Sequence, residues 1–74
     1  MEAVDLDFVS SYVSKLSLEQ IANLPDEKIM FLRMERPGHR GQFGFMLDPK
    51  YFQSDEHFSD TLFALMTRLR KVEK

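Results

Sequence analysis

Two apolar segments, residues 28–35 and 42–48, constrain this chain more than any other feature, because a turn-rich link over residues 36–41 separates them. Apolar runs on each side of such a link predict a β-hairpin. Alternate side chains of a strand point to opposite faces, and a hairpin with one wet face carries polar residues there. Both faces of this hairpin are apolar and need a cover: one carries Ile29, Phe31, Phe43, Phe45 and Leu47, and the other carries Met30, Leu32, Met34 and Met46.

Size and composition limit the ways in which this chain can be stabilised. A single domain over residues 1–74 is expected, and a core of that size contributes about 3–5 kcal/mol net. Cysteine is absent, which excludes disulfides and thiolate metal sites. His39 and His57 lack the i,i+4 spacing of a helical zinc site. We therefore expect no metal, no cofactor and no small-molecule substrate, and a stabilising contact with a partner or a second copy.

Helical patterns precede the predicted hairpin. Residues 5–16 repeat apolar side chains at helical spacing, with Asp5 as the expected N-cap. Ser17 and Gln20 have the spacing of a capping box, which predicts a short helix over residues 18–23.

The longest helical pattern follows the hairpin, over residues 55–72, with Ser54 or Asp55 as its cap. Phe63 falls off the apolar stripe of this helix by about a third of a turn, so it widens the apolar surface beyond what one sheet face covers. The stripe itself consists of Phe58, Leu62, Leu65, Met66, Leu69 and Val72.

These elements predict an α+β fold in the order α-α-β-β-α, with a two-stranded antiparallel hairpin packed on the helices. A lone hairpin is barely stable in water, and the predicted helices cover neither its second face nor its outer edges. Pairing with a second copy would complete a larger sheet and remove an edge. A homodimer is therefore expected.

Charge is distributed unevenly along a chain whose net charge is −2. Residues 1–27 carry −5, residues 28–50 carry +3, and residues 51–74 balance. Overall acidity disfavours duplex DNA as a partner, because phosphate contacts dominate that affinity. The acidic first helix remains one possible recognition element, and the basic middle segment is the other.

The link between the two apolar segments combines bases with glycines. Arg36, His39 and Arg40 lie at its expected tip, and binding residues concentrate on such exposed loops. Gly38 and Gly41 are expected to take positive φ, which glycine adopts without strain. The loop is thus the predicted partner-reading element.

No group of side chains in the sequence has the pattern of a catalytic centre. The carboxylates cluster where helix ends are expected, which suits the helix dipole. His57 and Asp60 are three apart on one helix and able to touch, but they lack further partners. The serines lack the glycines of a nucleophile elbow, so the chain is not expected to be an enzyme.

The run Arg40-Gly41-Gln42-Phe43-Gly44-Phe45-Met46 is similar to the basic, glycine and aromatic run of the RNA recognition motif. The resemblance covers seven residues, with Gln42 as an extra residue, and the predicted order of elements departs from that family. It implies that aromatic rings stack on bases. The alternative function is therefore a single-stranded RNA binder using Arg36, Arg40, Phe43 and Phe45.

The leading expectation is a small protein–protein interaction module that inhibits, links or regulates another protein. Methionine suits such adaptable contact surfaces. No run approaches the roughly 20 apolar residues of a membrane span, and the lack of cysteine fits a cytoplasmic location. The expected partner-binding residues are Met30, Leu32, Met34, Arg36, His39, Arg40, Met46 and Phe63.

Overall fold

A computed structural model describes residues 6–73 as four helices and one two-stranded antiparallel sheet. The predicted α+β class and the antiparallel pairing are confirmed, with one helix more than predicted. The predicted Asp5 cap lies outside the described residues. The elements are α1 (Leu6–Ser14), α2 (Leu18–Ala22), α3 (Asp26–Leu32), β1 (Met34–Glu35), β2 (Phe43–Gly44), a 3₁₀ turn (Pro49–Tyr51) and α4 (Asp55–Val72).

Local capping explains where two of the helices begin. At α2, the Gln20 N–H donates to Ser17 Oγ (3.1 Å), and the Ser17 N–H donates to Gln20 Oε1 (2.8 Å). This is the predicted capping box. At α4, the His57 N–H donates to Ser54 Oγ (3.0 Å), so Ser54 rather than Asp55 is the cap.

The prediction of a strand over residues 28–35 is wrong, because most of that segment belongs to α3. Pro25 stands at the N-cap position, and two acids, Asp26 and Glu27, occupy the first turn, where the helix dipole favours negative charge. Ile29 and Leu32, three residues apart, are both buried. A helix puts such residues on one face, whereas a strand would put them on opposite faces.

The sheet is consequently much shorter than predicted. Met34 pairs with Gly44 and Glu35 pairs with Phe43, so the predicted strand over 42–48 is limited to two paired residues. Since α3 ends at Leu32, the residues that this register would place opposite Met46 and Leu47 are helical. The two apolar faces inferred from strand alternation therefore do not form, and completion of the sheet by a second copy stays a prediction.

Helix α4 occupies the predicted range and lies at the centre of the fold, in contact with α1, α2 and α3. Leu65 and Leu69 of its predicted stripe are fully covered, and Thr61 is buried beside them. The core is a single cluster formed by Val9, Val13, Ile21, Ile29, Leu32, Phe45, Phe52, Leu65 and Leu69.

The side chain of Arg68 joins α4 to the end of α2. Its Nη1 donates to the carbonyls of Ile21 (2.8 Å) and Ala22 (3.0 Å), and its Nη2 donates to the carbonyl of Leu24 (2.6 Å). The same Nη2 reaches Asp26 Oδ1 (2.9 Å) at the start of α3. The last carbonyls of a helix have no intrahelical partner, so Arg68 caps α2 from a different helix.

A second long-range hydrogen bond fixes α1 against the segment that follows β2. Ser10 is fully buried, and its Oγ accepts the Asp48 N–H at 2.7 Å. Asp48 in turn caps the 3₁₀ turn by accepting the Lys50 N–H at 3.0 Å. A buried polar group needs such a partner, and this one links α1 to the 3₁₀ turn.

Replacing Arg68 by Met is expected to lower the free energy of unfolding by about 2–3 kcal/mol, because hydrogen bonds to a charged group stabilise by about 1.5–3 kcal/mol each and the α2 carbonyls lose their partner. Urea unfolding followed by far-UV circular dichroism at low micromolar protein measures this. Arg40→Met is the control, since Arg40 is an exposed arginine in the loop between β1 and β2. Equal unfolding midpoints for the two variants would refute the cap.

Burial of its phenol, followed by the charge of Asp7, raises the pKa of Tyr51 above its ordinary value of 10.0. The neutral phenol, which is hydrogen-bonded to Asp7, therefore stabilises the fold fully below pH about 10, and this contribution is lost as pH rises through the folded-state pKa. Tyr51→Phe should flatten the alkaline loss of stability in urea titrations between pH about 8 and 11. Tyr12→Phe, which keeps Tyr51, should retain the loss; an identical alkaline limb in both variants would contradict the assignment.

Candidate functional site

The loop between β1 and β2 consists of two consecutive tight turns. The His39 N–H donates to the Arg36 carbonyl (3.0 Å), and the Gln42 N–H donates to the His39 carbonyl (3.1 Å). The third residue of each turn is a glycine with positive φ, 76° at Gly38 and 81° at Gly41. Because positive φ is confined to glycine in the described chain, both turns have the φ signs of type II. The predicted role of these glycines is confirmed.

One carboxylate closes the loop onto β1. The Gly41 N–H donates to Glu35 Oε2 at 2.6 Å, and the Arg36 N–H donates to the Gln42 carbonyl at 2.8 Å, which continues the ladder by one step. Arg36, His39 and Arg40 are all exposed around an open concavity of about 410 Å³. The loop thus holds two guanidinium groups and an imidazole on a fixed backbone.

A second concavity, of about 240 Å³, lies between β2 and α4. We call it the methionine groove; its lining residues are Arg36, Gly44, Phe45, Met46, Leu62 and Met66. A Cβ placed on Gly44 would stand 3.8 Å from Arg36 Cγ and 3.9 Å from Met66 Sδ, so this glycine forms the floor between them. Arg36 lines both concavities, which makes the basic loop and the methionine groove one continuous surface.

The two aromatic rings of the RNA-like run do not offer open faces to this surface. Phe45 is 6% exposed and belongs to the core. Phe43 is half-buried, and the guanidinium carbon of Arg33 lies 3.7 Å from its ring centroid. A base would have to displace Arg33 to stack there. Phe43 and Phe45 are therefore not open stacking platforms in this structure.

The structure brings together only half of the predicted contact residues. Arg36, His39, Arg40 and Met46 share the continuous surface. The remaining residues lie elsewhere: Leu32 is 1% exposed in the core, Met30 packs against the core, Met34 is half-buried in β1, and Phe63 lies on α4 with 70% of its surface exposed. Leu32 in particular cannot reach a partner, because α3 turns it inward.

The predicted contact residues do not include two residues that line the methionine groove, Leu62 and Met66. Leu62 and Met66 were assigned to the α4 stripe, but both are only half-buried because they flank its buried centre. Their i,i+4 spacing was the available signal, since an outer pair on a wide apolar stripe can face a second element.

Other features of residues 6–73 also bear on function: their capacity to hold a metal, their buried polar groups without a partner, and the length and apolar character of their helices. No cluster of three or more His, Asp or Glu side chains is placed to hold a metal ion there. The Nδ1 of His57 is buried without a hydrogen-bond partner, and its ring lies edge-on to Phe52 at 5.3 Å. None of the helices formed by residues 6–73 combines the length and apolar character needed to cross a membrane.

Comparisons of the chain with family models, curated proteins and solved structures return no match. Function is therefore inferred from the geometry of the loop and the methionine groove.

Replacing Gly41 by Ala is expected to lower the free energy of unfolding by about 1–2 kcal/mol, because an L-residue is strained at positive φ. The space around a Cβ at this position is open, so no neighbouring atom opposes the substitution and the whole cost comes from the backbone conformation. Gly41→Asn is the matched control and should cost less, since Asn tolerates this conformation better. Urea unfolding midpoints compare the two; an alanine variant as stable as the native protein would contradict the turn geometry.

Proposed function

We propose that this protein is a non-enzymatic protein-binding module that recognises an acidic segment with an apolar anchor on another protein. The single observation that carries the proposal is the shared position of Arg36, which lines both the basic loop and the methionine groove. A partner side chain in the groove and a carboxylate beside it would therefore contact the same arginine.

The charge of the loop supports an acidic partner. Arg36 and Arg40 are exposed, and Glu35 is the acid of the loop concavity, with its carboxylate accepting a backbone hydrogen bond. Arginine presents a planar fork that binds a carboxylate in two places. The whole chain has a net negative charge, so the positive charge of the loop is a local property of this surface.

The chemistry of the groove supports an apolar anchor. Leu62 and Met66 line it from α4, Met46 lines it from the segment after β2, and Met46 is 36% exposed. Thioether side chains are flexible and polarizable, so they adapt to more than one apolar side chain. A fixed charged loop beside an adaptable groove suits an inhibitor, adaptor or regulator that docks on its target. We further propose that the protein acts in the cytoplasm.

An array of short peptides tests the proposal, each carrying two acidic residues at varied distances from one Leu, Phe or Met. The strongest binding peptide is titrated against the protein and its variants by fluorescence anisotropy. Arg36→Ala and Met46→Asp should each weaken binding about tenfold or more, because a charged hydrogen bond is worth about 1.5–3 kcal/mol. Affinity should also fall as salt rises.

Two matched variants serve as controls for this titration. Lys50→Ala removes an exposed base outside the loop, and Phe31→Asp adds a charge at an exposed apolar site on α3. Both should bind the peptide as the native protein does. The proposal is wrong if no peptide on the array binds, or if the Arg36 and Met46 variants bind as tightly as these controls.

A further inference from the structure

The outer face of α4 carries the most exposed large apolar side chain in residues 6–73. Phe63 is 70% exposed, and it stands at the rim of a shallow groove of about 350 Å³ between α2 and α4. Leu18 forms the opposite rim and is itself 49% exposed, although an inward side chain would be expected on the amphipathic face of α2. The floor between them includes the small side chains of Ala22 and Ala64.

Charge changes sign along the same face of α4. At 100° per residue, Glu56, Asp60, Phe63, Thr67 and Arg70 fall within an arc of about 80°. The two acids lie toward the N-terminal end, Phe63 and Thr67 lie in the middle, and Arg70 lies toward the C-terminal end. All are exposed apart from Thr67, which is half-buried.

We propose that two copies of this chain associate through antiparallel pairing of their α4 helices about a two-fold axis near residue 65. Each Phe63 would then enter the groove of the second copy beside Thr67. Asp60 and Arg70 each lie about 7.5 Å from the axis along the helix, on opposite sides of it. Asp60 of each copy therefore faces Arg70 of the other.

The surface fits a second copy because it is self-complementary: each projecting or charged group on it has a matching feature on the same surface. A two-fold interface uses the same patch on both subunits, so that residue i meets residue j and j meets i. Here the projecting ring, the groove that receives it, and both signs of charge lie on one face. An unrelated partner would need the matching order of acid, ring and base.

The expected affinity follows from the size of the face. Helix α4 has 18 residues and is about 27 Å long. Only one face of this single helix would pair, so the contact is smaller than a standard interface of roughly 800 Å² per partner. We therefore expect a dissociation constant in the micromolar range. The pairing does not depend on the proposed peptide-binding function, which uses Arg36 and the methionine groove instead.

Sedimentation equilibrium over micromolar to millimolar protein tests the pairing. Phe63→Asp should weaken dimerisation tenfold or more, because it replaces the aromatic anchor of the interface with a charge. Phe31→Asp is the matched control, since Phe31 is 56% exposed and lies on α3. A native protein that stays monomeric throughout, or a Phe63→Asp variant that dimerises like the control, would overturn the proposal.

A charge exchange tests the antiparallel register. Asp60→Arg alone places two arginines opposite each other, and Arg70→Asp alone places two aspartates opposite each other, so each variant should be monomeric at concentrations where the native protein dimerises. A 1:1 mixture of the two restores opposite charges at both contacts and should recover the dimer. Both positions are exposed, and far-UV circular dichroism checks that both variants are folded. A mixture that stays monomeric, or single variants that dimerise normally, would refute the register.

Discussion

The structure depends first on one guanidinium group that connects segments 47 residues apart in sequence. Helix α2 has five residues, and a helix so short is not stable by itself in water. Its N-terminus is satisfied locally by the capping box, and at its C-terminus Arg68 donates to the last two carbonyls, those of Ile21 and Ala22. The same side chain also reaches Asp26, so it contacts the first turn of α3. Beside the apolar core that α2 and α3 share with α4, a single residue thus holds the adjoining ends of these two helices.

Local signals sufficed for the elements whose ends are fixed by neighbouring residues. The cap at Ser54 and the wide apolar stripe after it predict α4, and the Ser17–Gln20 spacing predicts α2. Residues 28–32 were misassigned because a short apolar run has no clear period, so strand and helix fit it equally. The deciding signals were Pro25 and the two acids after it, which mark a helix start. The prediction of a strand over residues 28–35 used neither signal.

The candidate site was predictable only in the part that is local in sequence. Proline and glycine at fixed offsets predict the tight turns that display Arg36, His39 and Arg40. The methionine groove depends on which side of α4 lies against β2, and that is set by long-range packing rather than by any pattern near Met46. Leu32 was predicted as a contact residue because the predicted strand put it on the second face of the hairpin, whereas the helical geometry of α3 places it in the core.

The remaining question is why a chain this small leaves Phe63 in water. A single exposed apolar side chain is ordinary on protein surfaces, so its exposure alone carries no weight. The position of Phe63 is informative, because the groove beside it and the reversal of charge along α4 make the face complementary to itself. Association would also stabilise the native state by mass action, which matters for a core worth only about 3–5 kcal/mol. Helix α4 would then support the monomer through Leu65 and Arg68 and the dimer through its opposite face, so that folding and self-association are coupled through one helix.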